Sequence, residues 1–374
     1  MLTSEERDLL ESYIRHHMPD APYWARVQIV LQTADKTSQE DIAVQVGVPI
    51  TQVRLWQRAF NKQRMAVFPE TLFLPPALFT PDDPVAEAGR CLLQEMQDKI
   101  DEHWPAAAAS ADHTAVHEIR KAIRQTFTIY RLFAPYFVQG SLLSFRRQWR
   151  RVMRHLGRSR DIAIFLENLG EQLAQAQVSE DERAALIGLQ EQWEHALAAA
   201  NKDLIHYLNR RKVTHLRAEY RRFLQDPGSS LFPPKAPASP VRLVAPLMIA
   251  QKLTVVRQDE PLIASGTMAE LHQLRIHFKE LRYTIRFFAP LLGLPIVFCL
   301  NGLEEIQNHL GWLNDVRMGL EMLAENQDPD EASRWYQARL QARAKELQST
   351  FAPLWAKFNS REWRQNLGLA LARL

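Results

Sequence analysis

His117, Arg120, Arg124 and Arg131 stand at i, i+3, i+7 and i+14. At about 100° per residue a helix carries all four in one stripe roughly 60° wide. A line of cations repels itself and weakens its own helix unless carboxylates or a bound polyanion neutralise it. The chemistry on offer is electrostatic, because a planar guanidinium can hydrogen-bond two oxygens of one phosphate. Lys121, beside Arg120, joins the candidate set. Downstream, Arg146, Arg147, Arg150, Arg151, Arg154, Arg158 and Arg160 crowd one segment, with Arg147, Arg150, Arg151 and Arg154 at facing spacing. Arg210, Arg211, Lys212, Arg217, Arg221 and Arg222 form a further cluster.

Taken alone, the stripe has a bland reading as a solvated charged face. Repetition tips the balance. HEIRKAIRQTFTIYRLFAPYF begins at His117 and HQLRIHFKELRYTIRFFAPLL begins at His272, an offset of 155 that pairs His117 with His272, Arg120 with Arg275, Arg124 with Lys279 and Arg131 with Arg286. His272, Arg275, Lys279, Arg282 and Arg286 therefore draw the same stripe a second time. LGRSRDI (Leu156–Ile162) matches LGWLNDV (Leu310–Val316) at an offset of 154. The histidine heading each stripe has two open roles, donating to phosphate with added charge as pH falls, or packing at the helix start. Asp161 and Asp315, closing what read as two loop motifs, are expected to hold arginine side chains or to cap the next helix.

The elements that must position these residues are helices. Apolar residues recur with a 3.6-residue period, and no convincing period-two run is present. Two Pro-rich breaks, FPETLFLPPALFTPDDP (Phe68–Pro84) and DPGSSLFPPKAPASP (Asp226–Pro240), read as linkers or long loops. The expected division is residues 1–68, a linker at 69–83, and a duplicated region at 84–374, made of 84–226 and 241–374 joined by a linker at 227–240. The expected class is all-α. With 46 Lys+Arg against 43 Asp+Glu the formal charge is only +3, so any anion site must come from local clustering. The acidic N-terminus is unlike a signal peptide, and no run reaches the roughly 18 apolar residues that span a bilayer. No membrane association and a cytoplasmic location are expected. Cys91 and Cys299 lack metal-ligand spacing and read as apolar fillers.

These motifs resemble the CHAD domain, the histidine-containing α-helical domain, over about residues 84–374. Leu271–Tyr283 and Leu310–Asp315 carry most of the likeness. The resemblance implies two antiparallel helical bundles related by a pseudo-twofold axis, with a basic groove that binds inorganic polyphosphate without catalysis. On that reading the groove is lined by His117, Arg120, Lys121, Arg124, Arg131, Arg147, Arg150, Arg151, Arg154, Arg158, His272, Arg275, Lys279, Arg282 and Arg286. On the polyphosphate reading, targeting to polyphosphate granules is the accompanying expectation. A triphosphate-processing companion domain would carry a Glu-x-Glu-x-Lys signature, which this sequence lacks.

The first block departs from that pattern. Ile42, Ala43, Val46, Gly47, Val48, Val53 and Trp56 follow the spacing of a helix-turn-helix, with Ser38 three residues before Asp41 as a capping signal. In a DNA complex the second helix, about Ile50 to Phe60, would bring Thr51, Gln52, Arg54 and Arg58 to the major groove. DNA regulation, with the basic bundles sensing a phosphorylated polyanion or adding DNA contacts, is thus the competing class, while modules of this shape also serve as protein-binding or purely structural units. A phosphohydrolase is the third class, disfavoured because the sequence shows no carboxylate cluster to hold a catalytic metal. His113 and His117 have a spacing that can bind zinc, but Met268 replaces His113 in the second repeat, so no metal, cofactor or catalytic residue is expected. Trp312, Trp335, Trp355 and Trp363 read as core.

Overall fold

A computed structural model describes residues 2–175, 180–226, 239–324 and 331–374. Among these residues sixteen α-helices follow in order: α1 (Ser4–His16), α2 (Trp24–Ala34), α3 (Gln39–Val46), α4 (Ile50–Gln63), α5 (Val85–Ser110), α6 (His113–Leu132), α7 (Leu143–Gln175), α8 (Glu180–Leu208), α9 (Arg211–Gln225), α10 (Val241–Gln258), α11 (Leu262–Ser265), α12 (Met268–Leu292), α13 (Leu294–Ala324), α14 (Glu331–Ser349), α15 (Ala352–Phe358) and α16 (Arg361–Leu371). No strand occurs among the described residues, so the fold class is all-α. The chain separates into two compact units, one of residues 1–77, 285–305 and 354–374, the other of 78–284 and 306–353.

In the first unit, α2, α3 and α4 close around Ile29, Ile42 and Val53, with Ala43, Val46, Val48 and Trp56 packed against them. Ser38 caps α3 by accepting from the Asp41 backbone N–H at 3.1 Å, and Gly47 ends it at φ +73°. That left-handed turn is one that glycine adopts without a Cβ penalty. A second cluster, built on Leu10, Tyr13, Val27, Val30, Leu31, Phe60 and Phe68, ties α1 to α2 and α4. The same unit takes in chain from far downstream. The Ser12 hydroxyl bonds Asn301 at 3.3 Å, Lys357 pairs with Glu305 at 2.9 Å, and Arg373 pairs with Glu70 at 3.0 Å. The first Pro-rich stretch is packed: Phe68, Leu74 and Phe79 are all buried.

In the second unit, α5 lies along α6, α6 on α7, α7 on α8 and α8 back on α5, with α9 laid across α5, α7 and α8. Trp149 and Tyr220 are fully buried there and meet edge to face, a favoured aromatic geometry. The two repeats begin side by side. Val85 N–H donates to Ser239 C=O at 2.9 Å, and Val241 N–H donates to Asp83 C=O at 3.0 Å, around an isolated antiparallel bridge between Pro84 and Pro240. This reciprocal exchange is what a local twofold relation between the starts of α5 and α10 produces. Both helices start directly after a proline, where the missing backbone donor costs nothing. Of the second Pro-rich break, residues 227–238 lie outside the described residues.

Candidate functional site

α6 and α12 carry the two stripes, and each is started by a side-chain cap. Asp112 accepts from Ala115 N–H at 2.8 Å on α6. On α12, Thr267 and Glu270 cap each other's backbone N–H groups at 3.3 and 2.8 Å, a capping box. Apolar Val116, Ile119, Ile123 and Ile129 bury the opposite side of α6, which fixes the direction of its basic side.

Arg120 is only 8% exposed and donates to Asp161 of α7 at 3.3 Å. Burial, reinforced by Arg124, holds its guanidinium down at about 10 while Asp161 opposes the shift. Its Nη1 has no hydrogen-bond partner. Room for it comes from Gly157, where an added Cβ would sit 3.0 Å from that nitrogen. The Leu156–Ile162 and Leu310–Val316 motifs, read as loops in the sequence, are not loops. Both lie inside the continuous helices α7 and α13, so Asp161 acts by pairing with arginine and not by capping. Neither motif contains a proline, and the glycine serves the close approach of Arg120 instead of a turn.

The second repeat brings its residues to the same centre. Arg275 is held down by burial first and by Arg124 of the other repeat next, with Asp315 opposing; its Nε is buried without a partner. Lys279 is pushed down to about 6, by burial and then by Arg275, Arg124 and Arg120, against the pull of Asp315. Burial raises both Asp161 and Asp315 despite the guanidinium groups around them. Arg160 feels Glu167 first and then Asp315 and Asp161, and hydrogen-bonds His113. Five basic side chains thus share one half-buried centre with Asp161 and Asp315, and Glu167 acts on Arg160 at its edge.

The remaining stripe residues separate by environment. His272 bonds the buried Asn314 at 2.8 Å, and burial followed by Arg317 keeps its imidazole below the ordinary value. His117 is exposed, yet desolvation of its ring and then Arg160 lower it in the same direction. Lys121 is tied to Glu118 at 2.9 Å. Arg131 pairs with Glu280 at 2.5 Å, and Glu280 also holds Lys252 at 2.8 Å, so that end of the first stripe is neutralised from the second repeat. Arg282 bonds Gln307, and Arg286 is exposed farther along α12. Arg147, Arg150, Arg151, Arg154 and Arg158 are exposed along α7, with no carboxylate at ion-pair distance among the described residues. Trp312, expected in the core, is 54% exposed; it occupies the position that Arg158 fills in the other repeat, also exposed.

A family model for the CHAD domain matches residues 91–324, a span that contains both stripes and both Leu-Gly motifs. The chain belongs to the CHAD family. Its fold is similar to the crystal structure of the CHAD domain from the plant Ricinus communis, with a TM-score of 0.60 and 19% identity over 76% of this chain and 96% of that one. It is also similar to PptA from Streptomyces chartreusis, with a TM-score of 0.56 and 13% identity over 73% and 99% of the two chains. No curated protein matches the chain.

Outside the matched CHAD segment, Thr51, Gln52, Arg54 and Arg58 are exposed on α4, and the Arg54 Nε donates to Gln39 of α3 at 3.0 Å. Apolar Leu55, 62% exposed, shares that helix. Among the described residues no cluster of three or more His, Cys, Asp or Glu is placed to hold a metal ion, and no helix is long and apolar enough to cross a membrane. His113 faces Arg160, a cation that disfavours a second positive charge there. In the sequence Arg160 is one arginine of a crowd. The signal that singles it out is a mismatch in the repeat, Arg160 against Asn314, each placed beside its own histidine motif.

Proposed function

We propose that this CHAD-family protein binds inorganic polyphosphate, non-catalytically, through its duplicated basic residues. One observation carries the reading. Arg120, Arg124, Arg160, Arg275 and Lys279, drawn from both repeats, lie within electrostatic reach of one another, offset by Asp161 and Asp315 and, at Arg160, by Glu167, and buried guanidinium nitrogens of Arg120, Arg160 and Arg275 have no partner. Buried donors are ordinarily satisfied, so unsatisfied ones mark a place where an acceptor-rich ligand gains most. The exposed arginines of α7 extend the same sign of charge outward and suit a long anion that releases counterions as it binds.

On this reading the centre supplies charge-assisted hydrogen bonds, the α7 ridge supplies salt-sensitive attraction, and the protein associates with polyphosphate granules in the cytoplasm. The test is a salt titration of binding with long-chain polyphosphate, orthophosphate, single-stranded RNA and duplex DNA in parallel. Polyphosphate is expected to bind far more tightly than orthophosphate, with affinity falling as salt rises and no phosphate released. Equal affinity for RNA of matching charge overturns the selectivity, and metal-dependent phosphate release overturns the absence of catalysis.

A further inference from the structure

The two repeats are not equal at their centre. Where the first places Arg124, the second places Lys279. A guanidinium stays charged at any pH a folded protein meets, whereas a lysine amine surrendered to a poor environment can release its proton. Lys279 is therefore the member of this cation cluster able to discharge it.

Its surroundings give it reason to. Arg275 faces it from α12, Arg120 and Arg124 from α6, and Asp315 from α13; Arg160 and Asp161 of α7 border the same centre, the first toward Asp315 and the second on Arg120. His272 is near enough to feel Lys279 as well. Among the described residues Lys279 has neither an ion pair nor a hydrogen bond. Asp161 is engaged by Arg120 and Glu167 acts first on Arg160, which leaves Asp315 to be shared chiefly by Arg275 and Lys279.

Resting on the polyphosphate reading above, we propose that Lys279 is a proton-coupled ligand: it is neutral in the free protein and takes up a proton as the anion enters. The amine then becomes an ammonium that donates to phosphate oxygens, and the proton comes from solvent. Binding is linked to pH through this one position. Its lowered free-state value, about 6, fits a group that is mostly deprotonated at pH 8. While the free form is neutral and the bound form charged, each unit fall in pH tightens binding by roughly tenfold. His117 and His272 lie lower than an ordinary imidazole and contribute little at pH 8.

The experiment is calorimetry of the full chain with long-chain polyphosphate at pH 8, in two buffers of different ionisation enthalpy. Proton uptake is read from the difference in heats. Wild type is expected to take up close to one more proton per site than Lys279→Arg, whose affinity should also lose most of its pH dependence between 7 and 8. Arg124→Lys, which adds a second amine at the equivalent position, is expected to increase the uptake and guards against a Lys279 variant that folds poorly. Equal uptake by wild type, Lys279→Arg and Arg124→Lys overturns the proposal while leaving polyphosphate binding intact. Absence of polyphosphate binding by wild type overturns the functional reading and this one with it.

Discussion

Gly157 and Gly311 occupy the same position in the two Leu-Gly motifs, both inside helices, and they should respond differently to alanine. At Gly311 an added Cβ meets nothing within 4 Å. Gly311→Ala therefore removes only the entropic cost of glycine in a helix, about 0.5–1 kcal/mol. For a unit of this size that corresponds to a rise in Tm of roughly 2 °C. At Gly157 the same Cβ lies 3.0 Å from Arg120 Nη1, closer than such pairs of atoms ordinarily sit. Arg120 is buried and paired with Asp161 at 3.3 Å, already a long ion pair, so a shift of a few tenths of an ångström weakens it and redirects the unpartnered nitrogen. The helical gain and that loss should nearly cancel in Tm. Anion affinity should not cancel. Losing one charge-assisted hydrogen bond costs about 1.5–3 kcal/mol, which converts to a fall in affinity of roughly tenfold or more. Differential scanning calorimetry and polyphosphate titration of both variants at one salt concentration make the comparison. Equal gains in Tm with unchanged binding in both would refute the assignment of Gly157 as the space that positions Arg120.

Asp161→Asn leaves Arg120 buried without a countercharge, and because Asp161 is itself partly exposed the expected loss is moderate, about 1–2 kcal/mol by urea unfolding, with polyphosphate affinity rising as a repelling carboxylate is removed. Arg150→Ala combined with Arg154→Ala removes two exposed cations of α7; the slope of log affinity against log salt should become shallower by about 1.4, at roughly 0.7 for each phosphate no longer neutralised, with no change in Tm. Stability without ligand should rise with pH above about 6, because Lys279 is depressed in the folded state and the unfolded chain binds the extra proton between that value and the ordinary lysine range. Lys279→Met should flatten that rise in urea midpoints measured from pH 6 to 8.

The helical class and the two stripes were legible because 3.6-residue periodicity and a repeat offset of 155 are both local properties of the sequence. What stayed hidden depended on partners elsewhere. Arg131 fits the stripe by spacing, yet Glu280 of the other repeat neutralises it, and no local pattern announces a carboxylate so far along the chain. The Leu-Gly motifs resemble loops because glycine ordinarily punctuates helices. Gly157 is instead kept small by the guanidinium packed on it, a tertiary reason invisible in one dimension. Apolarity alone puts Trp312 in the core, whereas its position in the repeat is a surface one, as Arg158 shows. The first unit likewise recruits residues 285–305 and 354–374 through pairs such as Ser12–Asn301 and Arg373–Glu70, which no composition break foretells.

On the proposed reading, the two populations of cations do different jobs, and their burial decides which. Exposed charges separated by water are screened over about 8–10 Å at ordinary ionic strength, so the α7 ridge attracts any polyanion and discriminates weakly. The half-buried centre is screened less, and burial, with the strain of its charges against one another added to it, depresses Arg120, Arg275 and Lys279 together. Relief of that strain is greatest for a ligand whose negative charges are contiguous. In polyphosphate, neighbouring phosphoryl groups share an oxygen; in a nucleic acid, sugars hold them apart. A compact cluster therefore favours the former at equal total charge, and selectivity should survive loss of the ridge but not loss of the centre. Comparing the polyphosphate-to-RNA affinity ratio of the Arg150/Arg154 double variant with that of Arg275→Ala separates the two. A ratio that falls only in the ridge variant would show that charge density on α7, and not the buried centre, sets the preference.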